Sequence, residues 1–415
     1  MSLSSQTVSS RGFRRRTIAV FATVGLIASG LAAANLLQPP RITAVEFRAE
    51  TLAVSDSARI TVTLSEAVRH VQDVDVTAAT PVTADSEGAT VTLTVHGPLD
   101  YGAVLPIRIA VTSAATGIRG VVEPVVTAAD TRVATLVRDD RGDRIMSDWL
   151  VRGGDPDERR LGRPIQEFAS FPDRIFAITA AGPPDAPRAV FAAFSLGSER
   201  EIPLIAETEA QLSQLRAEPQ VGYVGLVTDG LRVGDRVTVR ELLLFDGRAD
   251  SGAPAMLTDP EGAPLAVSDW RFVPGTTAVI VRDTGGALWQ ADPVLGGAAT
   301  PITESDPRVG ALLPEGGVRL SGGDRIGRTA AGTALTRSVG EQDAPFFTPA
   351  GSGSRIGAVC ASPNGRAVAV EVISAEGRAD GRAVREGFSH TTTVFLDART
   401  GTQLRSVIGF APSWC

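Results

Sequence analysis

The feature that most restricts this chain is a recurring unit between residues 131 and 415: apolar residues, a proline, a turn, then an aliphatic or β-branched run. Copies lie at residues 170–178, 217–224, 272–280, 312–318 and 361–370, around Pro172, Pro219, Pro274, Pro314 and Pro363. Successive prolines are 47, 55, 40 and 49 residues apart, close to the ~40–50-residue period of a propeller blade built from four strands. Each copy is followed by a second strand pair with its own turn: 392–404 with Asp397 and Gly401, 239–250 with Asp246 and Gly247, 288–297 with Asp292 and Gly296. Asp bonds the backbone ahead of it and Gly takes a positive φ without strain, so these residues mark tight hairpins.

Residues 410–415, Phe-Ala-Pro-Ser-Trp-Cys, read as the start of one more unit, whose edge hydrogen bonds require partner strands. Segments 131–138 and 144–152 can supply them, which predicts a ring sealed by its first and last segments. Ser147-Asp148-Trp149 and Ser268-Asp269-Trp270 repeat a further motif at the beginning of the region and ahead of Pro274. The runs S-P-N-G-R-x-V-A-V (362–370) and V-F-L-D-x-x-T-G (394–401) resemble the TolB/WD40-like β-propeller repeat. That resemblance implies a β-propeller over 131–415. Five legible units and one composite make six blades the expectation, with five or seven as the alternatives.

Between residues 41 and 128 apolar and polar residues alternate, at 60–64, 74–76, 91–95 and 107–111, and the apolar ones are mostly β-branched. Half-buried strands require this pattern. Turn clusters at 85–88, 97–98 and 116–117 separate them, and about seven short strands in roughly 90 residues is the rhythm of a sandwich. I-T-V-T-L-S-E-A-V (60–68) and the later stretch 99–107 around Tyr101 resemble bacterial surface Ig-like domains of the SbsA type. Leu64 stands where that family has Phe, Ala67 where it has Pro, and Pro106 is expected to interrupt the late strand. The resemblance implies an Ig-like β-sandwich used as a spacer or adhesive module, without chemistry of its own.

Arg11, Arg14, Arg15 and Arg16 end a basic segment, 1–16, ahead of an uncharged stretch at 17–37; the next charge is Arg41, beyond Pro39 and Pro40. As a helix that stretch rises about 31 Å, near the ~30 Å of a bilayer's hydrocarbon core. The arginines hold the amino end in the cytoplasm and place the remainder outside, an all-β protein behind one transmembrane helix. The alternative is a secretory signal cleaved near Ala34, at the small-residue run Ala32-Ala33-Ala34.

Forty basic residues, all arginine, against 47 acidic ones give a net charge of −7, which disfavours nucleic acid as a partner. Two cysteines, Cys360 and Cys415, are too few for a four-thiolate zinc site. Counted from the repeated proline they occupy similar positions in neighbouring blades, and an exported protein permits a disulfide between them. Against it, innermost strands of adjacent blades can lie beyond the bonding range of about 4.4–6.8 Å between Cα atoms, leaving two buried thiols.

Other constellations have plainer readings. Arg141-Gly142-Asp143 spells an adhesion tripeptide within the hairpin-turn composition of 139–143. That loop and 155–158 are acidic but lack the spacing of a calcium loop. A Ser-His-Asp triad would have to use His70, His96 or His390; the first two lie in the Ig-like part, and no nucleophile elbow accompanies His390. The glycine-rich run 321–332 lacks the Gly-Lys-Ser/Thr of a phosphate-binding loop. No catalytic residue, cofactor site or metal site is assigned. The expectation is a membrane-anchored scaffold whose propeller binds an extracytoplasmic protein or envelope polymer through varied loops on a rigid face. A hydrolase or lyase acting on envelope or extracellular carbohydrate, and a purely structural surface spacer, are the alternatives. Two Tyr and four Trp in the whole chain offer few rings on which sugars could stack.

Overall fold

The computed structural model describes residues 10–36, 38–76, 80–183, 186–196, 200–306, 309, 317–320, 323–340, 342–382 and 384–415, with the side chains at 10–15, 31–36, 70, 72, 73 and 76 excluded. Strands dominate, and the chain divides into two compact units: one ends at Ala128, the other runs from Ala129 to Cys415 and also includes residues 53–55 and 99–102.

In the first unit a helix, Ser10–Leu36, precedes two antiparallel sheets. Ile18, Val20, Phe21, Val24, Leu26 and Ile27 are all exposed on this helix, and at about 3.6 residues per turn they point in every direction around it. Among the described residues no helix is long and apolar enough to cross a membrane. One sheet has the strand order Ile42–Phe47, Ser57–Leu64, Thr90–His96, Val82–Glu87; the other joins Val68–Val76, Val104–Ser113 and Arg119–Val122, with Val125–Thr127 also on the middle strand. The alternation is realised in burial: Ala58, Ile60, Val62 and Leu64 are enclosed while the residues between them are not, because successive side chains leave opposite faces of a strand. Pro106 does not interrupt its strand. It pairs with Val125 on a short partner, and the strand continues through it from Val104 to Ser113. Tyr101 lies outside any strand, grouped with the second unit.

Among the described residues the second unit contains six antiparallel sheets of three or four strands, the plan of a β-propeller, and one two-stranded ribbon, Arg232–Val233 with Arg236–Val237. The first has Arg132–Val137, Arg144–Trp149 and Asp157–Arg159. The second to sixth each have four strands and begin with Ile165–Ser170, Gln211–Glu218, Val267–Phe272, Gly317–Arg319 and Arg355–Ala361. Pro172, Pro219, Pro274 and Pro363 each follow the first strand of a sheet, where proline's fixed φ suits the turn to the second. Pro314 is outside the described residues; in the fifth sheet the equivalent turn comes later, where the Leu320 amide bonds the Asp324 carbonyl.

Hydrophobic cores lie between neighbouring sheets. Phe176 and Phe191 of the second pack with Leu226 and Phe245 of the third; Leu244 of the third packs with Trp270 of the fourth; Val318 of the fifth packs with Val368 of the sixth. Strands covered on both sides are apolar without alternation, as in Leu242-Leu243-Leu244-Phe245, all buried. Each such side chain contributes about 1.5–3 kcal/mol on burial. Closure follows the predicted route: Phe410 exchanges two main-chain hydrogen bonds with Leu136, of 2.7 and 2.9 Å, and the Ser413 amide bonds the Ala134 carbonyl at 2.9 Å. Residues 410–413 thereby complete the first sheet.

Candidate functional site

All groups of the candidate site belong to the second unit. The third sheet's first strand carries a bulge between Ser213 and Arg216, where Gln214 adopts a φ of 56°. Such a bulge bends the strand and redirects the side chains around it. Three contacts hold it: the Leu215 amide donates to Glu167 Oε2 (2.6 Å), Gln214 Nε2 to the Ser268 carbonyl (2.8 Å), and the Trp270 indole to the Gln214 carbonyl (3.1 Å). Beyond the bulge Arg216 donates to Asp269 Oδ1 at 3.1 Å. Arg216 and Arg271 both donate to the main-chain oxygen of Cys415. A third guanidinium, Arg385, comes from the segment between Ala367–Ile373 and Thr391–Asp397, 3.6 Å from Glu371 Oε1.

Burial pushes the Arg216 guanidinium below its ordinary range, against the pull of Asp269. Arg271 is pushed further, by burial first and then by the charge of Arg216, with Arg385 adding to the effect. Three cations are thus crowded together. Two neighbouring carboxylates also serve amides: Glu167 that of Leu215, and Glu371, besides facing Arg385, those of Ala358 (2.9 Å) and Ala411 (2.7 Å). Arg216 Nε is enclosed and has no hydrogen-bond acceptor among the described residues. A buried donor without an acceptor costs roughly 1–3 kcal/mol, so the cluster is chemically suited to an added anionic oxygen.

Beneath it lies an aromatic and covalent floor. Cys360 and Cys415 are joined in a disulfide, with Cα atoms 5.6 Å apart. Trp414 meets Phe395 edge-on at 5.0 Å and stacks with Tyr101 at 6.3 Å. Burial raises the Tyr101 hydroxyl above its ordinary range and does the same to the Glu218 carboxyl. Asn364 Nδ2 donates to the carbonyls of Ala53 (2.8 Å) and Leu99 (3.3 Å).

A second ionic cluster fastens the first, second and sixth sheets. Buried Arg138 donates to Asp380 Oδ2 at 2.6 Å and to the carbonyls of Ile165, Gln166 and Arg385, with Phe410 under its guanidinium. Asp143 accepts from the Ile165 amide at 2.6 Å and pairs with Arg382 at 2.9 Å. The acid of the Arg-Gly-Asp tripeptide is therefore enclosed, its side chain 6% exposed, and faces inward. In the same turn Arg144 bonds both oxygens of Asp139, holding that carboxyl well below the usual range.

The remaining sequence candidates are placed singly. Asp157 pairs with Arg132 and Glu158 with Arg144 and Arg160; among the described residues no group of three His, Cys, Asp or Glu could hold a metal ion. His390 is exposed with a φ of 52°, its carbonyl accepting from the Ser374 amide. His96 bonds Thr83, and the His70 side chain is outside the described residues. In the run 321–332, Ser321 and Gly322 are outside them, while Arg325–Arg328 is a strand. The arginine cluster is the feature that sequence reasoning missed, although a signal existed. Counted back three residues from Pro172, Pro219, Pro274 and Pro363, the residues are Ala169, Arg216, Arg271 and Cys360. The last three converge on Cys415, two on its oxygen and one on its sulfur.

No family model and no curated protein matches the chain. Among solved structures it is similar to an auxiliary nutrient binding protein from Bacteroides thetaiotaomicron, at 9% identity and a TM-score of 0.28, over 88% of this chain and 85% of that one. A second auxiliary nutrient binding protein, from Bacteroides ovatus, is 12% identical with a TM-score of 0.29, over 84% and 82%. The β-propeller domain of Cps50 (Swd1) from Myceliophteria thermophila is 11% identical with a TM-score of 0.30, over 75% and 96%.

Proposed function

We propose that the protein is a membrane-anchored extracytoplasmic binding protein, in which an Ig-like spacer precedes a six-bladed propeller that takes a carboxylate-bearing protein or envelope polymer. The convergence of Arg216 and Arg271 on one oxygen, with the charge of Arg385 acting on both, carries this reading. A carboxylate offers two oxygens in one plane, which suits the forked donors of guanidinium groups. Three charges crowded by burial gain most from an added negative one.

The anchor is supported by the uncharged stretch 17–37 behind an arginine cluster, and by apolar side chains on all sides of its helix between Ile18 and Ile27. Two sheets with alternating burial support the sandwich. Six described sheets of three or four strands, the first extended by residues 410–413, support six blades.

The reading is tested by fluorescence polarisation of a labelled oligoglutamate against detergent-solubilised protein, in buffers with and without dithiothreitol. Saturable binding in at least one buffer is expected, weakened about tenfold or more in Arg271→Gln and matched by no binding of oligolysine. Absence of binding in both buffers, or equal binding by Arg271→Gln, overturns it.

A further inference from the structure

Acids stand among the three guanidiniums in equal number. Asp269 and Glu167 act on Arg216, Asp269 acts also on Arg271, and Glu371 lies 3.6 Å from Arg385. Glu167 and Glu371 serve main-chain amides. Asp269 is only half engaged. Its Oδ1 accepts from Arg216 (3.1 Å) and from the Trp270 amide (2.8 Å), whereas Oδ2 has no donor among the described residues and the side chain is 44% exposed. Beside it, Gln214 Nε2 donates to the carbonyl of Ser268, the residue before Asp269, and Gln214 Oε1 is enclosed without a donor among the described residues. Gln214 and Asp269 hold equivalent positions in neighbouring sheets, each five residues ahead of its proline and at the bulge of its first strand. The chain contains no lysine, so no lysine ammonium can serve these oxygens from within. Free donors are also present: Arg385 is 31% exposed, and its guanidinium makes no hydrogen bond among the described residues.

We infer that the site takes a zwitterionic peptide, whose ammonium seats on Asp269 Oδ2 and Gln214 Oε1 and whose carboxylate meets Arg385. The inference rests on the binding reading above and names its ligand. An ammonium is compact and carries three donors, so it can serve a carboxylate and an amide oxygen together. Asp269 and Arg385 both act on Arg271, which places the free oxygen and the free donors within the span of neighbouring acidic and amino side chains of one peptide. The ammonium also compensates the charge that the carboxylate brings into a partly enclosed site. A hydrogen bond to a charged group corresponds to about tenfold or more in affinity, and the ammonium should contribute at least that.

The experiment measures fluorescence polarisation of labelled peptides of equal length, blocked at both ends, against the detergent-solubilised full chain. One alternates Glu and Lys, one Glu and Gln, and one Gln and Lys. The Glu-Lys peptide is expected to bind at least about tenfold more tightly than either of the others. In Asp269→Asn, with circular dichroism recording the sheets, its advantage over Glu-Gln should shrink to about twofold or less, an effect that general damage to the site would not confine to one peptide. Equal affinity of Glu-Lys and Glu-Gln, or an advantage that survives Asp269→Asn, overturns the inference and leaves the carboxylate reading standing. Binding of Gln-Lys as tight as that of Glu-Lys overturns the inference and the carboxylate reading together, as does binding of none of the three. Should Asp269→Asn fail to fold, carbodiimide coupling of the Glu-Lys peptide to the wild type decides. Its lysine must be joined to Asp269 in the mass spectrum of the digest; coupling only to other acids overturns the inference.

Discussion

The two units treat charge in opposite ways. In the first, strands bury one face, and charged residues such as Arg108 and Glu123 stay outside, 63% and 69% exposed in a 3.6 Å pair. In the second, sheets pack against sheets on both faces, and Arg138, with a side chain 4% exposed, sits inside among Asp143, Asp380 and three carbonyls. The difference follows from coverage rather than composition. A strand with one wet face can discard a polar side chain into water, whereas a strand covered on both must satisfy it internally.

The largest test of this contrast is Arg138→Ala. Removing Arg138 takes from Asp380 its buried ionic partner, leaving it the amides of Arg382 and Gly387, and strips donors from the carbonyls of Ile165, Gln166 and Arg385, so urea unfolding of the second unit should lose about 3–5 kcal/mol. A loss below about 1 kcal/mol would mean that the inside and outside pairs are equivalent.

Acid should sharpen the contrast next. Arg144 holds the Asp139 carboxyl low. At Asp380 burial works upward, but the amides of Arg382 and Gly387 and the Arg138 guanidinium outweigh it, and the net shift is down. Both acids titrate lower folded than unfolded, so their stabilisation is complete above about pH 4 and is lost as pH falls below that value. Melting temperature measured across pH should drop for the second unit below about pH 4, and Asp139→Asn should flatten that drop. A profile unchanged by the substitution would assign the acid sensitivity to other groups.

The smallest effect is expected for Glu123→Ala. Solvent screens its exposed pair with Arg108, and stability should change by no more than about 1 kcal/mol, less in high salt. A larger loss would break the comparison from the other side.

Much of the architecture was legible along the chain. Apolar alternation at 60–64 and 91–95 falls within the strands Ser57–Leu64 and Thr90–His96, prolines marked the ends of four first strands, and Asp397 with Gly401 marked a hairpin turn, where the Asp397 side chain accepts the Arg399 and Thr400 amides. The fifth sheet was harder to read, because the residues between its first strand, described over Gly317–Arg319, and its second contain no proline. The candidate site was scarcely legible. Arg216 and Arg271 look like ordinary strand arginines until the repeats are aligned on their prolines, and Arg385 lies in an irregular connection with no periodicity to place it.

Local chemistry, then, determined where strands begin and turn, since side-chain periodicity and the backbone preferences of Pro, Gly and Asp act within a few residues. Tertiary structure alone decided that Arg216, Arg271 and Cys360 meet Cys415, and that Asp143 points inward. These outcomes depend on how sheets far apart in the chain are brought together when residues 410–413 pair with the strand Arg132–Val137. That pairing sets which strand faces are covered and which charges must find partners without water.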